Sequence, residues 1–132
     1  MTNLDLITTA FRKVGMLDEN ESPSAEQGQV GLRLLNQLLA AWAEDGLAFP
    51  SWFPQTALSD ALPLPDWAER AVTAALSIET ASEYDRPVTD ALAVVASNSY
   101  DALLRKRMNQ QLQPINLNLP AGEAHQWTER IT

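Results

Sequence analysis

Apolar side chains recur at intervals of three and four residues in four separate segments of this sequence. Positions with that spacing share one face of an α-helix, so the pattern predicts amphipathic helices. The segments cover about residues 3–14, about residues 24–45, a stretch that begins near Pro65 or Asp66, and about residues 88–111. We therefore expect an all-α fold, a bundle of about four helices formed by a helical domain of residues 1–111.

Residues with helix-capping chemistry precede the first two segments. Thr2 or Asn3 can cap the start of the first helix. Ser24 is followed three positions later by Gln27, which is the spacing of a capping box. Both starts are therefore predicted from local chemistry as well as from periodicity.

Four glycines bear on the same two helices. Gly15 and Gly46 follow the last periodic positions, where a residue in the left-handed conformation ends a helix. Gly28 and Gly31 lie near the start of the second helix, where each costs about 1 kcal/mol relative to alanine. Close approach of another backbone would explain these two glycines, and so would neutral drift.

The apolar stripes and the tryptophans at or beside them form the predicted core. The third helix is rich in alanine, which lets a neighbouring helix of the same chain or of another copy come close. The predicted core positions are Leu4, Ile7, Phe11 and Val14 in the first helix, Val30, Leu34, Leu35, Leu38, Leu39 and Trp42 in the second, Trp67 in the third, and Val88, Leu92, Val95 and Leu103 in the fourth, with Ala91, Val94 and Ala102 beside that last stripe.

A proline-rich connection joins the second and third helices. Residues 47–65 contain four prolines and follow neither the helical nor the strand period. The apolar side chains of Leu47, Phe49, Trp52 and Phe53 predict that this long loop packs onto the helices. A short extended piece is expected near residues 55–58.

The last part of the chain, residues 112–132, has no helical pattern and is predicted to form an extended C-terminal arm. Ile115, Leu117 and Leu119 alternate with asparagines, which is the period of a strand or an extended segment. Trp127 stands in a polar stretch with no internal partner in view, so it is a candidate anchor for another protein.

Charge is unevenly distributed between these two parts. The chain carries a net charge of −8; residues 1–101 hold 5 basic and 15 acidic side chains, and residues 102–132 hold 4 basic and 2 acidic ones. This polarity can serve a head-to-tail contact between identical chains, or it can be chance in a short segment. An acidic chain is a poor nonspecific binder of nucleic acid, because phosphate neutralisation needs clustered cations.

Three consecutive cations, Arg105, Lys106 and Arg107, interrupt the acidic pattern near the end of the fourth helix. The sequence places them in the last turns, where cations complement the negative end of the helix dipole. Contact with phosphates is the alternative interpretation.

Catalytic and metal-binding patterns are lacking. The chain has no cysteine, and its one histidine, His125, lies in the arm. There is no glycine-rich phosphate loop, no basic start typical of a signal peptide and no apolar run near the roughly 20 residues of a membrane span. We expect no enzyme activity, no cofactor, no metal and no membrane contact, with a small enzyme using paired carboxylates as the weakest alternative.

Three stretches in order resemble one protein family. Residues 10–15 read Ala-Phe-Arg-Lys-Val-Gly, and Leu35-Asn36-x-x-Leu39 is followed by Trp42-x-x-Asp45-Gly46-Leu47. Residues 81–84 then read Ala-Ser-Glu-Tyr, before a break and the helix of residues 92–103. Their order and spacing over about residues 4–105 resemble the head-to-tail adaptor, or connector, proteins of tailed bacteriophages. The similarity is greatest to the tail accessory, or packaged-DNA stabilisation, factors of short-tailed phages.

The resemblance implies a structural virion protein at the head–tail junction, assembled in the host cytoplasm. Such adaptors form a ring, typically of twelve copies, under the portal protein; the ring extends the DNA exit channel, helps to retain packaged DNA and offers a platform for tail or nozzle proteins. The acidic body would line or flank the channel, so that DNA passes without specific binding. The expected contacts with the portal or a neighbouring subunit are Ile115, Leu117, Leu119, Trp127, Arg105, Lys106 and Arg107.

Each motif also has a reading that is independent of the family. Asn36 is polar on an otherwise apolar helix, which predicts a hydrogen bond to a loop carbonyl or a role in fixing register. Trp42 and Leu47 are placed to cover one end of the core. These features specify a helical bundle, and they fit equally a helical interaction or regulatory subunit of a cytosolic complex, which is the alternative function.

Overall fold

The computed structural model describes residues 1–112, with side chains to residue 110. It contains four helices: α1 (Asn3–Lys13), α2 (Ala25–Glu44), α3 (Asp66–Glu83) and α4 (Asp90–Leu112). No strand is present in this part of the chain, and the one isolated β-bridge pairs Thr2 with Ala61. The fold is all-α, as the sequence predicts, and none of these helices is long and apolar enough to cross a membrane.

Capping side chains start the first two helices where the sequence places them. The Thr2 hydroxyl accepts the Asp5 amide at 3.1 Å, and the Asp5 carboxylate accepts the Thr2 amide at 3.1 Å. Ser24 and Gln27 make the same reciprocal pair at 3.1 and 2.9 Å. Each box satisfies two amides that a helix start otherwise leaves without partners.

Glycines end the same helices. Gly15 and Gly46 have φ angles of 75° and 96°, a region that side-chain-bearing residues rarely adopt. Each follows directly after a C-cap residue, Val14 or Asp45. The predicted left-handed stops are therefore confirmed.

Helix α3 lies at the centre of the bundle and contacts each of the other three helices, most extensively α4. Its alanines face partners within the same chain: Ala68, Ala71, Ala74 and Ala81 are buried. Because these side chains are small, little volume separates the backbones, and the other three helices can pack close to the axis of α3.

The core fills the spaces around α3. It contains the predicted α2 positions except Val30, which is partly buried, together with the predicted residues Ile7, Phe11, Leu92 and Leu103 and apolar residues from the connection. The buried apolar side chains are Leu6, Ile7, Ala10, Phe11, Leu17, Leu32, Leu34, Leu35, Leu38, Leu39, Trp42, Leu47, Phe49, Leu62, Leu64, Ala68, Ala71, Val72, Ala74, Leu76, Ala81, Leu92 and Leu103.

Gly31 marks the closest approach between α1 and α2. A Cβ atom built on Gly31 would lie 2.5 Å from Cγ2 of Ile7, whereas one on Gly28 would lie 2.7 Å from Cδ1 of Leu58. Side chains, rather than another backbone, therefore occupy the space that these glycines leave.

A set of amide hydrogen bonds fastens the connection to the helices. The Asn36 side chain donates to the Gln55 carbonyl and accepts the Gln55 amide, both at 2.8 Å. The buried Asn3 side chain donates to Oε1 of Gln55 at 2.8 Å and to the Ala57 carbonyl at 2.9 Å. We call Asn3, Asn36 and Gln55 the amide clamp. The hydrogen bond predicted for Asn36 is confirmed.

The start of the chain is held by the end of the connection. The Asn3 and Leu4 amides donate to the carbonyls of Asp60 and Leu58 at 3.0 and 2.9 Å, and the Leu62 amide donates to the Met1 carbonyl at 3.0 Å. This pairing fixes the angle at which α1 enters the bundle.

Five predicted positions of the helix faces are wrong, because the residues are exposed: Leu4, Val88, Ala91, Val94 and Ala102. Leu4 is exposed and Leu6 is buried in its place, because pairing with residues 58–62 sets the rotation of α1. Val88 precedes α4, whose start is capped by the Thr89 hydroxyl accepting the Leu92 amide at 3.2 Å. Val94 is 56% exposed, because α4 presents only one side to α3.

The connection packs onto the bundle with one exception. Leu47 and Phe49 are buried, Trp52 is partly buried, and Phe53 is 59% exposed. Phe53 precedes Pro54 and the clamp residue Gln55, whose side chain donates to the Phe53 carbonyl at 2.7 Å. That local hydrogen bond holds the Phe53 main chain. The Phe53 side chain is exposed, so the prediction that its ring packs inward is wrong.

Candidate interaction surface

Cations of α4 lie on aromatic rings near the start of α3. Nζ of Lys106 is 4.8 Å from the centre of the Trp67 ring, and the Arg107 guanidinium carbon is 5.7 Å from the centre of the Phe49 ring. The two rings are 5.9 Å apart and tilted by 48°. We call these four residues the cation–aromatic cluster. A cation over a ring face gains about 0.5–1 kcal/mol at an exposed site, so the cluster holds the two charges in place.

A groove between α3 and α4 runs beside this cluster. Its lining includes Trp67 and Arg70 from α3, and Asn98, Ser99 and Lys106 from α4. No carboxylate belongs to the lining. We call it the α3–α4 groove.

Other grooves on the described surface are of two kinds. Some also lack carboxylates: one is lined by the connection, Trp67 and Arg107, and another by Arg33 with neutral side chains. The groove between α2 and α4 includes the aromatic rings of Trp42 and Tyr100, whose centres are 5.3 Å apart, and the carboxylates of Asp45 and Glu79. The α3–α4 groove is therefore a cationic feature on a chain whose net charge is −8.

The groove cations have no carboxylate partner within residues 1–112. The one ion pair in this part of the chain joins Arg33 to Glu83 at 2.8 Å. Arg107 donates to Oε1 of Gln110 at 3.2 Å, and its Nε is buried without a hydrogen-bond partner. Lys106 and Arg107 of the cation–aromatic cluster are thus held by aromatic rings rather than paired with carboxylates, and Arg70 of the groove forms no ion pair in this part of the chain.

The helix-dipole interpretation of the three cations is wrong. Helix α4 continues to Leu112, and its last turn contains no basic residue. Arg105 lies seven residues before that end, which is about two turns, and the dipole effect is confined to the last turn. Arg105 is exposed, while Lys106 and Arg107 contact the aromatic rings.

An acidic turn lies at the opposite end of α3. Residues 18–21 follow α1 and carry the exposed carboxylates of Asp18, Glu19 and Glu21. The Glu21 amide donates to the Asp18 carbonyl at 3.0 Å, and Arg12 donates to the Glu21 carbonyl at 3.2 Å. Buried Leu17 anchors the preceding position. We call residues 18–21 the acidic turn.

The C-terminal end of α3 contains a tyrosine with a shifted pKa. The Tyr84 ring meets the Phe11 ring edge-on at 5.7 Å. Burial raises the pKa of Tyr84 above its ordinary value of 10.0, and the nearby carboxylates of Glu26 and Glu83 raise it further, against a smaller opposing effect of Arg33. The phenol therefore stays neutral and packs as part of the core edge.

The pKa of a carboxylate at the start of α1 is shifted in the opposite direction. The pKa of Asp5 is lowered from 3.8, first by the hydrogen bond from the Thr2 amide and then by that from the Thr2 hydroxyl. Both bonds favour the charged form. Asp5 is fully exposed, so this shift reports capping-box geometry rather than burial.

The structure accounts for part of the predicted contact set. Arg105, Lys106 and Arg107 lie on α4, whereas Ile115, Leu117, Leu119 and Trp127 are outside the described residues, as are His125 and the whole predicted arm. Within residues 1–112, no group of three or more acidic or histidine side chains could hold a metal ion.

Sequence reasoning missed Phe49, Arg70 and Asn98 as parts of this surface. Phe49 and Arg70 are distant from α4 in sequence, and no pattern along the chain pairs them with Lys106. Trp67 was assigned to the core, but it is only partly buried, and Lys106 lies over its ring.

Comparison with family models and with curated proteins finds no match to this chain.

Proposed function

We propose that this chain is a head-to-tail adaptor of a tailed bacteriophage, which assembles as a ring under the portal protein. The ring would extend the DNA exit channel, help to retain packaged DNA and offer a platform for tail or nozzle proteins. The chain would act at the head–tail junction of the virion after assembly in the host cytoplasm. DNA would pass through the channel without specific binding.

The observation that carries the proposal is the ordered set of motifs, and the packing of the motif residues supports it. Phe11 of the first stretch meets Tyr84 of the third, with ring centres 5.7 Å apart. Asn36 of the second stretch holds the connection, and Trp42 meets Tyr100 of the last helix at 5.3 Å. Residues of the three stretches thus form contacts between helices, as expected when a family shares a packing scheme.

The distribution of charge is consistent with a channel protein. Residues 1–101 carry a net charge of −10, so a ring of such chains repels phosphate over most of its surface. DNA can move past such a surface, whereas a basic channel would bind it in a salt-dependent way.

A reconstitution experiment tests the proposal. The full chain is mixed with the purified portal protein from the same source, and the mixture is imaged by electron cryomicroscopy. We expect a ring of density added to one end of the portal. Portal particles without added density, in the presence of an excess of folded chain, would contradict the adaptor function.

Variants in the predicted arm sharpen this experiment. Replacing Ile115, Leu117 and Leu119 together with serine should abolish portal binding, and Trp127→Ala should weaken it. The matched control replaces the intervening Asn116 and Asn118 with serine, which keeps the length and leaves the apolar positions intact. If the control loses binding as fully as the triple variant, these apolar side chains are not the contact.

The alternative is a helical interaction or regulatory subunit of a cytosolic complex. This alternative would be favoured if the chain formed a stable small oligomer that did not bind the portal. The same sample, examined by sedimentation before mixing, distinguishes the two functions.

A further inference from the structure

We propose that the α3–α4 groove of one copy receives the acidic turn of a second copy of this chain. The inference rests on the adaptor function proposed above, because a ring of identical chains needs a contact between two unlike surfaces. It names those two surfaces within the described residues.

The groove has the chemistry of a carboxylate receptor. Lys106 and Arg70 lie on opposite helices of the groove, and no carboxylate belongs to its lining. Trp67 holds the Lys106 ammonium at 4.8 Å, so this charge is positioned before a partner arrives. Asn98 and Ser99 add neutral hydrogen-bond donors to the lining of the groove.

The acidic turn has the complementary chemistry and a fixed shape. Asp18, Glu19 and Glu21 are exposed, and none of them forms an ion pair within residues 1–112. Arg12 donates to the Glu21 main-chain carbonyl and forms no ion pair with the carboxylates of the turn. The buried side chain of Leu17 and the hydrogen bond from Glu21 to Asp18 hold the turn, so little ordering cost accompanies docking.

The two surfaces cannot meet within one chain. Trp67 lies in the first turn of α3, whereas the acidic turn follows α1 at the end that packs against Tyr84. The 17 residues from Trp67 to Tyr84 correspond to about 26 Å of helix. Each copy therefore offers one groove and one turn to its neighbours, and the contact continues from copy to copy until it closes a ring or extends as a filament.

Nucleic acid is the competing occupant of a cationic groove. Duplex DNA would need to approach a chain with 17 carboxylates against 9 cations, and most of those carboxylates would repel its phosphates. A second copy also carries a net charge of −8, but its acidic turn places three exposed carboxylates within four residues, so the charges at this contact are locally complementary.

Cysteine crosslinking tests the contact directly, because the chain contains no cysteine of its own. Full-length Glu19→Cys and Asn98→Cys chains are mixed under mild oxidation at low ionic strength. We expect a covalent heterodimer at a rate at least about tenfold above a control mixture of Glu19→Cys and Glu79→Cys. A rate equal to the control would overturn the inference.

Charge exchange supplies the second measurement. The Asn98→Cys chain receives Arg70→Glu and Lys106→Glu, and the Glu19→Cys chain receives Asp18→Lys and Glu21→Lys. Either change alone should lower the rate about tenfold or more, since several pairs become repulsive. Combining both changes should restore it, because the repelling groups again have opposite charges. Failure of the combination to restore the rate would overturn the inference.

Two further readouts separate the competing explanations. If Arg70→Glu with Lys106→Glu abolishes binding of a labelled DNA duplex and leaves crosslinking unchanged, the groove is a phosphate site and the inference fails. Crosslinking that follows charge complementarity, in a chain that never adds density to portals, would retain the contact and reject the adaptor function. Rings that form on portals but whose subunits never crosslink would retain the adaptor function and reject the contact.

Discussion

Helices α3 and α4 pack against each other but differ in how the chain uses them. Nine residues of α3 are buried, seven of which are alanine, serine or threonine, and α3 contacts all three other helices. Of the described side chains of α4, only Leu92 and Leu103 are buried. The interior of this protein is thus built from small residues at its centre, and α4 leaves most of its surface available for contacts with other molecules.

The largest expected difference between these helices comes from truncating a large side chain. Leu76→Ala in α3 removes a fully buried leucine and should lower the free energy of unfolding by about 2–5 kcal/mol. Val94→Ala in α4 removes an exposed side chain and should change it by less than about 0.5 kcal/mol. Urea denaturation of both variants measures the contrast, and equal losses would mean that α4 is enclosed in a larger assembly.

The second contrast with α4 is the loss of stability expected when a side-chain amide is removed. Asn36→Ala would leave the Gln55 amide and carbonyl without their side-chain partner, at a cost of about 1–3 kcal/mol. The matched change in α4 is Asn98→Ala, which removes an exposed amide and should cost less than about 0.5 kcal/mol. Thermal unfolding compares the two; a neutral Asn36→Ala would show that the amide clamp is not what holds the connection.

Adding volume gives the third contrast. Gly31→Ala places a Cβ atom 2.5 Å from Ile7, and the strain should outweigh the gain of about 1 kcal/mol in helix propensity, for a net loss of about 1–2 kcal/mol. The control Ala91→Leu adds more volume on the exposed side of α4 and should be nearly neutral. A stabilised Gly31→Ala variant would show that α1 and α2 can separate at no cost.

A smaller effect is expected where α4 contacts the start of α3. Lys106→Ala removes the cation from Trp67 and should cost about 0.5–1 kcal/mol, whereas Arg105→Ala should cost less because Arg105 lies over no aromatic ring in the described residues. Chemical denaturation at low salt measures the difference between the variants. Identical stabilities would indicate that the Trp67 face does not hold the lysine.

The smallest expected effect is a loss of stability at alkaline pH. Because the folded state raises the pKa of Tyr84, the neutral phenol is favoured by folding, and this contribution is fully present below pH 10.0. It is lost as the pH rises from that value through the folded pKa. Tyr84→Phe keeps the ring contact with Phe11 and should show a shallower alkaline loss of stability in pH-dependent denaturation. Parallel curves for the two proteins would contradict the shift.

Local chemistry made the ends of α1 and α2 predictable from sequence. Thr2, Ser24, Gly15 and Gly46 act through neighbours within a few positions, so their roles can be read from spacing alone. The four helices followed from periodicity for the same reason. Even α3, with its weak amphipathic pattern, was marked by Pro65 and by the acidic residues of its first turn.

Features decided by distant contacts could not be predicted in the same way. The side of α1 that faces the core depends on hydrogen bonds to residues 58–62, which no helical period reveals. The candidate surface joins Trp67 and Arg70 to Lys106 across nearly forty positions, and its cations were noticed only as a charged run. Periodicity identified α4 but could not show that its C-terminal half carries aromatic-bound cations.

The pairing of residues 1–4 with residues 58–62 has a consequence for folding during synthesis. The first helix is made first, yet the amide clamp and the main-chain bonds that orient it come from positions more than fifty residues later. Such distant contacts close slowly, because a long loop must be ordered before they form. While the ribosome adds the proline-rich connection, α1 can contact α2 but not α3 or residues 58–62. Part of its apolar face therefore stays exposed, and open to incorrect association, until those residues have emerged.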